Sequence, residues 1–380
     1  MKIKSIATLI LCWAIMGATA CSNDDRIEET LPPPTEEEDN TQEPGDSIPP
    51  QTETGEWTII NQATEGRGID VVFLGDGFTQ ADIESGKWEA AQDTVRKYFF
   101  HWEPIKSYKH LFNVYAVPAP YDGPSLHGGV ATGDTIRSRM CTYTSSFTPQ
   151  SVNKEATFAY AYEQTPVKEQ KGTPKDMFVA LIINTDQGWG GWCTSDPFVD
   201  RPGWGRALVP FGIFYRFLYG EFTHELIGHG IGEFSDEYVQ YGKDDEVFPD
   251  GEMGKQFYLK HQKEKKLYQN VTFTTDPNDT EQFLNPAWAE MIRRGYRGVG
   301  TVEGAVYYGK GVWRTTEHSV MVGNGLFENY NYFNPVQREI LLRHIYELAG
   351  KGDEYSLDLF FEYDKRNEAY DQHPNETNLP

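Results

Sequence analysis

Basic residues are scarce in this 380-residue chain, which has 34 Lys and Arg against 57 Asp and Glu and a formal net charge of −23. Nucleic-acid binding requires a clustered basic face, and polybasic attachment to a membrane surface requires runs of Lys and Arg, so both classes are excluded. Cysteine is also scarce, with four in the chain. Hydrophobic residues at 38% and aromatic residues at 14% exceed what a disordered protein contains, so we expect a folded core.

The first 20 residues have the organisation of an export signal. Lys2 and Lys4 precede an uncharged apolar stretch from Ile6 to Met16, which is too short to span a membrane, and small residues then lead to Cys21. Small residues that run directly into a cysteine resemble a bacterial lipobox, which implies that Cys21 becomes the lipidated first residue of the mature chain. We therefore predict a lipoprotein signal peptide over residues 1–20. The alternative is a secreted protein in which Cys21 has no role.

Acidic residues and prolines dominate the next segment, residues 21–56. Residues 22–56 contain 12 acids, one base and six prolines, which gives a local charge of −11. This composition cannot bury apolar surface, and its charges repel one another. We predict an extended tether. Its beginning, Ser22 to Asp25, resembles the acidic signal that sends lipoproteins to the surface of some Gram-negative bacteria, so we expect a lipid anchor in the outer membrane, on the cell surface.

Only two cysteines, Cys141 and Cys193, belong to the predicted folded part. In the oxidising compartment that an export signal implies, this even pair is compatible with one disulfide. Two buried thiols are an equal alternative, because the sequence does not give the distance between the two residues.

Apolar strand patterns and helical patterns alternate along residues 57–352. Met177–Ile183 is a continuous apolar run that predicts a buried strand. A helix is predicted from about Phe214 through His229, and another from Pro335 to Leu348, with proline well placed at its start. This alternation predicts one α/β (α+β) domain. Residues 353–380 are predicted to form a peripheral C-terminal segment.

The candidate chemistry lies between His224 and Tyr238. Glu225 follows the first histidine, and His229 lies five residues after it. Helices of zinc peptidases usually place the two histidines four residues apart. Five residues advance about 500° on a regular α-helix and leave the two rings about 140° apart. Binding of one metal therefore requires an extra residue in the helix, most simply a single-turn π-bulge near Gly228. The alternative is two unrelated histidines.

Two carboxylates follow this helix at a distance that permits a third ligand. Gly230 and Gly232 end the helix and allow a sharp turn. Asp236 and Glu237 then offer an oxygen ligand. Two imidazoles, one carboxylate and an open position for water make a catalytic zinc site. Further along the chain, Ser319–Gly323 can form a turn beneath it.

The pattern of these residues resembles the IgA-specific metalloendopeptidase family of zinc peptidases. The resemblance covers roughly residues 57–350 and is carried by His-Glu, Gly-His and Asp-Glu-Tyr within residues 224–238. Further stretches that carry it are Val71–Phe78, Glu103–Ile105, Phe112–Tyr115, Glu303–Ala305, Ser319–Met321 and Phe333–Glu339.

The resemblance implies a metzincin-like fold, in which a twisted mixed sheet supports an active-site helix and a methionine turn. It also implies bound Zn²⁺. By role, the implied residues are the ligands His224, His229 and Asp236 (with Glu237 as the alternative third ligand), the general base Glu225, and Met321 in the methionine turn.

These observations predict a zinc-dependent endopeptidase that hydrolyses peptide bonds of extracellular proteins, with a zinc-bound water activated by Glu225. We expect a monomer with a protein or peptide substrate, no nucleic-acid partner, and membrane contact through the lipid anchor only. One rival is a catalytically lapsed relative that binds peptide or glycan. Another is an exopeptidase, because His224–His229 also resembles the dipeptidyl peptidase III motif. Tyr238 or Tyr308 is a candidate oxyanion donor, and Gly190–Thr194 is a candidate edge strand for the substrate.

Overall fold

The computed structural model describes residues 56–126, 130–145, 151–169, 177–185, 191, 193, 211–212, 222–323, 332–368 and 371. The predicted signal peptide, Cys21 and nearly all of the predicted tether lie outside these residues. Within the described ranges, no helix combines the length and apolar character needed to cross a membrane.

The secondary structure alternates between strands and helices, as the sequence predicts. The described strands are β1 (Thr58–Asn61), β2 (Ile69–Phe78), β3 (Phe112–Pro120), β4 (Ile136–Arg137), β5 (Cys141–Tyr143), β6 (Ser151–Val152), β7 (Met177–Ile183), β8 (Phe211–Gly212), β9 (Val271–Thr272), β10 (Val302–Ala305) and β11 (Tyr308–Arg314). The described helices are α1 (Gln80–Glu84), α2 (Lys87–Phe99), α3 (Lys154–Glu163), α4 (Thr223–Ile231), α5 (Lys255–Lys265), α6 (Pro286–Arg293), α7 (Pro335–Leu348) and α8 (Leu357–Asp364).

A five-stranded mixed sheet forms the centre of the fold. Its strand order is β1-β3-β2-β7-β8, in which β1 is antiparallel to β3 and the other neighbours are parallel. The predicted mixed α/β architecture is therefore confirmed. The described residues also form two smaller three-stranded antiparallel sheets, β4-β5-β6 and β10-β11-β9.

Strand β2 is buried on both faces of the central sheet. Val71 and Phe73 belong to one core cluster, which also includes side chains of α2, α4 and α7, whereas Val72 and Leu74 belong to a second cluster with α3. A strand covered on both faces needs an apolar side chain at successive positions. This requirement explains the continuous apolar runs of β2 and β7.

Helix α7 begins as its sequence predicts and crosses the interior. Asn334 caps it in a capping box with Gln337, and Pro335 occupies the first turn. Most of its side chains are buried, and it packs against α4, α6 and α8.

Residues of helix α8 and Asp371 belong to the folded core, whereas the sequence predicts a peripheral segment from residue 353. Phe360 of α8 is fully buried. The guanidinium of Arg338, 2% exposed, pairs with Asp364 at 2.6 Å and with Asp371 at 2.8 Å. The polar residues of this segment thus neutralise a buried cation, which composition alone does not reveal. The predicted boundary at residue 352 therefore falls inside the domain.

The possible disulfide between Cys141 and Cys193 is not formed. Cys141 is buried in the cluster on the α3 face of the sheet, whereas Cys193 packs against the cluster on the opposite face. Because the two cysteines belong to opposite faces, both remain thiols, but only Cys141 is fully buried and Cys193 is partly buried.

Candidate metal centre

Helix α4 carries its two histidines on one side because its hydrogen bonds span five residues. All nine residues, Thr223–Ile231, are π-helical, and the amide of Gly232 donates to the carbonyl of Ile227 at 2.8 Å. An i→i+5 ladder places residues five apart over one another. The rings of His224 and His229 consequently lie with their centroids 4.7 Å apart. The single-turn bulge predicted from the spacing is instead a complete π-helix.

Three side chains bring one ligand atom each to a common point. Nε2 of His224 lies 3.0 Å from Oδ1 of Asp236, and Nε2 of His229 lies 3.3 Å from the same oxygen. Ligand atoms around tetrahedral zinc, each about 2.0–2.1 Å from the ion, are roughly 3.3 Å apart. The donor set and its spacing therefore fit zinc. In the part of the chain that the structure describes, this is the one His, Cys, Asp and Glu group able to hold a metal ion.

Each histidine is oriented by a hydrogen bond from its other ring nitrogen. Nδ1 of His224 donates to the carbonyl of Val320 at 2.9 Å, and Nδ1 of His229 donates to the carbonyl of Phe234 at 2.8 Å. Because a carbonyl only accepts, Nδ1 carries the proton in both rings. Such outer partners fix the tautomer of metal-binding histidines. Both Nε2 atoms therefore face the site.

Burial and neighbouring charges shift the pKa values of His229 and Asp236 in opposite directions. Burial lowers the pKa of His229, but the Asp236 carboxylate, with a contribution from Glu225, raises it to about 9. Burial also opposes ionisation of Asp236, yet His229 and His224 hold the pKa of Asp236 well below its usual range. Without metal, the carboxylates therefore favour the protonated form of His229, and a metal ion competes with that proton.

Glu225 lies within the electrostatic reach of the ligands. It follows His224 on α4 and is 2% exposed. Its charge contributes to the raised pKa of His229. The buried carboxylate of Glu225 therefore lies close to the metal-binding group.

Glu237 is held by partners other than the two histidines. Its carboxylate accepts hydrogen bonds from Ser319 Oγ at 2.7 Å and from Asn270 Nδ2 and Gln337 Nε2, both at 2.9 Å. Burial raises its pKa. Of the two carboxylates considered for the third ligand, the structure brings Asp236 to the histidines. Through its hydrogen bond from Gln337, Glu237 instead connects the segment after α4 to α7.

Met321 lies directly against α4. It is fully buried, and a Cβ atom on Gly228 would come within 2.4 Å of its Sδ. The two amides that follow Met321 donate to the carbonyl of Ser319 at 3.0 and 3.2 Å, which closes a tight turn. The Met321 carbonyl accepts from the amide of Glu237 at 2.8 Å. The turn predicted beneath the histidines is therefore present.

Tyr307 is a site residue that sequence reasoning missed. Its hydroxyl donates to Oδ2 of Asp236, and the ring of Tyr238 lies edge-on to it with a centroid distance of 5.1 Å. Tyr308, a candidate from the sequence, packs instead against Phe248 at 5.3 Å. The pairing of Ala305 with Tyr308 places Tyr307 at the tip of the β10–β11 hairpin. That register depends on strand pairing, which residue types alone do not show.

A comparison with models of known protein families identifies the family of this chain. A model of the IgA peptidase M64 family matches residues 58–297, more than half of the chain. The chain belongs to the IgA peptidase M64 family. The resemblance inferred from the sequence is thus confirmed, and M64 membership indicates a metallopeptidase. A search of curated proteins finds no match.

The M64 match includes all of α4 and Asp236 but ends before the turn at Met321. The role of that turn therefore rests on its contacts with Gly228 and Glu237. The predicted helix start near Phe214 lies outside the described residues. So does most of the candidate substrate strand, Gly190–Thr194, and the described neighbour of β7 at that edge of the sheet is β8.

Proposed function

We propose that this protein is a zinc-dependent endopeptidase that hydrolyses peptide bonds of extracellular proteins. The convergence of His224, His229 and Asp236, in a chain of a peptidase family, is the observation that supports it. Two imidazoles and one carboxylate leave a fourth position of a tetrahedral zinc ion open, which distinguishes catalytic from structural zinc sites.

The chain's own residues supply the binding and the proton transfer. His224 and His229 would hold zinc through Nε2, and Asp236 through Oδ1. When bound, zinc supplies Lewis acidity, which acidifies a water and polarises the scissile carbonyl. Glu225 would accept the proton of the attacking water and deliver it to the leaving amine. Its burial keeps bulk water away from this transfer.

The turn at Ser319–Gly323 serves, in this proposal, as the methionine turn of a metzincin-like fold. Met321 supports α4 by packing and is not a ligand. The Val320 carbonyl in the same turn orients His224. The turn would therefore act on the metal through the position of the first histidine.

Zinc analysis and proteolysis by matched variants test this function. We expect one zinc per wild-type chain, hydrolysis of casein, and internal cuts in a long unstructured peptide. Glu225→Gln should keep its zinc and lose about 10²–10⁴-fold in rate, the usual contribution of a general base. Glu246→Gln, at a carboxylate with 55% exposed side chain, is the control.

Three outcomes would contradict the proposal. A wild type that binds no metal and does not cut casein would point to the lapsed peptidase-like binding protein. A fully active Glu225→Gln variant would overturn the role of Glu225 as the general base. Cuts confined to chain ends would point to the exopeptidase. Immunoglobulin A, the substrate in the family's description, belongs among the substrates tested, although a fold with its catalytic residues does not determine the substrate.

We further propose that Cys21 anchors the exported chain to the outer membrane at the cell surface. The order of charged, apolar and small residues before Cys21 supports this proposal. Cys21→Ser should move the protein from the membrane fraction to the soluble fraction. Cys12→Ser, within the apolar stretch, should leave it anchored. Equal fractionation of both variants would disprove the anchor.

A further inference from the structure

We propose that Tyr307 is a positioning residue that fixes the Asp236 carboxylate, so that Oδ1 alone faces the metal. This inference rests on the proposed zinc site and deepens it. The Tyr307 hydroxyl donates to Oδ2 of Asp236. The other oxygen, Oδ1, lies 3.0 and 3.3 Å from the Nε2 atoms of His224 and His229. The two oxygens of one carboxylate thus have separate partners.

Because the two oxygens of Asp236 have separate partners, Asp236 fills one coordination position of the metal and not two. A carboxylate that can turn freely can present both oxygens to one ion. A hydrogen bond to Oδ2 opposes that rotation, since the bond would be broken. Asp236 then donates one oxygen, and a tetrahedral position stays open for water. Tyr307 would thereby preserve the open position that catalysis requires.

The hairpin tip that carries Tyr307 is bonded to the same segment as Asp236. The amide of Val306 donates to the carbonyl of Asp236 at 3.1 Å, and the amide of Tyr307 donates to the carbonyl of Tyr238 at 3.0 Å. The amide of Gln240 donates back to the carbonyl of Tyr307 at 3.1 Å. These three bonds hold the hydroxyl and the carboxylate in one rigid unit.

The backbone at this tip adopts a strained conformation. Val306 and Tyr307 have φ values of 51° and 72° and form the two-residue turn between Ala305 and Tyr308. Such turns favour Asn-Gly, because both positions need positive φ, and positive φ is a genuine outlier for a β-branched residue. Strain of this kind clusters at functional sites. An Asn-Gly turn would remove the strain but also the hydroxyl that reaches Asp236.

Tyr307→Phe tests this role with Tyr308→Phe as the matched control. The first variant removes the hydroxyl and keeps the ring beside Tyr238. The second removes a neighbouring hydroxyl whose ring packs on Phe248. We expect Tyr307→Phe to bind zinc 10–100-fold more weakly in competition with a chelator, the usual effect of losing an outer-shell partner. Tyr308→Phe should bind zinc like the wild type.

A spectroscopic readout separates positioning from a general loss of structure. In the cobalt-substituted protein, Tyr307→Phe should weaken the visible d–d bands, because a second oxygen of Asp236 raises the coordination number. The thermal midpoint of the metal-free protein should change no more than in Tyr308→Phe.

The outcomes distinguish this inference from the proposed function. Wild-type affinity and an unchanged cobalt spectrum in Tyr307→Phe would overturn the inference while leaving the zinc peptidase intact. Equal weakening in Tyr308→Phe would overturn it too, since the effect would then be structural. A wild type that binds no zinc would overturn both.

Discussion

At the scale of single residues, the neighbouring carboxylates Asp236 and Glu237 have different surroundings. Asp236 faces two imidazoles and a tyrosine hydroxyl, whereas Glu237 accepts from Ser319 and two amide groups. The imidazoles lower the pKa of Asp236, whereas burial raises the pKa of Glu237 more than its hydrogen-bond donors and Arg314 lower it. The two residues should therefore respond differently to amide substitution.

Asp236→Asn should abolish stoichiometric zinc binding, whereas Glu237→Gln should keep zinc and lower stability. In Glu237→Gln, an amide NH₂ replaces one acceptor oxygen and leaves a buried donor without its acceptor, which costs about 1–3 kcal/mol. Metal analysis and urea unfolding measure the two effects. The exposed-site variant Glu246→Gln should change neither. Loss of zinc in Glu237→Gln alone would reverse the assignment of the third ligand.

Asp76 is a buried carboxylate outside the metal site, near the end of β2. Its Oδ2 accepts from Ser138 Oγ at 2.5 Å and from the Tyr143 hydroxyl. Its Oδ1 has no hydrogen-bond partner among the described residues. Burial raises the pKa of Asp76 above its ordinary value of 3.8. The folded protein therefore binds this proton more tightly than the unfolded chain.

The free energy of unfolding of the Asp76→Asn variant should rise relative to that of the wild type as pH increases. A carboxyl whose pKa is raised by folding stabilises fully below its unfolded pKa of 3.8, and this stabilisation is lost as pH rises through the folded pKa. The asparagine oxygen can accept both bonds without carrying charge. Urea unfolding between about pH 4 and 7 measures the difference. A difference that does not change with pH would contradict the prediction.

At the scale of elements, helix α4 depends on close contact with the turn at Met321. A π-helix is rare and appears mostly as a single turn, so nine π-helical residues require support from tertiary packing. The support at its centre is the Met321 sulfur, which approaches Gly228 where any Cβ would intrude. A glycine is therefore required at this point of the helix.

Gly228→Ala should destabilise the protein by about 1–3 kcal/mol, the usual effect of overpacking a core. The added methyl would meet Met321 Sδ at 2.4 Å, and displacement of Met321 should also weaken zinc binding. In a double-mutant cycle with Met321→Ala, the combined loss should be smaller than the sum of the single losses. Gly251→Ala, with no atom within 4 Å of the new methyl, is the control. Additive losses would show that the contact is unimportant.

Local patterns predicted the elements but not all of their functional details. The apolar run of β7, the start of α7 at Pro335 and the need for an irregular helix between His224 and His229 follow from residue types and spacing. The choice of Tyr307 over Tyr308 depends on hairpin register. The partners of Glu237 come from Asn270 and from residues still further along the chain. Such long-range pairings leave no periodic signal in the sequence.

At the scale of the whole molecule, the C-terminal segment closes the core. Arg338 on α7 is buried between Asp364 and Asp371. The hydroxyl of Tyr363 donates to Glu103, after α2, at 2.8 Å. Helix α8 thus connects the first and last thirds of the domain, and its loss would leave a charged guanidinium in an apolar interior.

Asp364→Ala should lower the free energy of unfolding by about 3–5 kcal/mol, because one partner of a buried ion pair is lost. Asp358→Ala, with an 89% exposed side chain on the same helix, should have almost no effect. A chain ended after residue 352 should fail to unfold cooperatively in urea, whereas a chain ended after residue 372 retains all these contacts. Cooperative unfolding of the shorter chain would show that the domain ends before α8.

The burial of Arg338 has a consequence for the order in which parts of the fold can be completed. Chains are synthesised from the N-terminus, so every proposed zinc ligand is made more than 100 residues before Asp364 and Asp371 appear. Until those two aspartates arrive, α7 cannot settle beside α4 with its arginine neutralised. A nascent chain would therefore contain all three proposed zinc ligands before α7 can pack beside the helix that carries the two histidines.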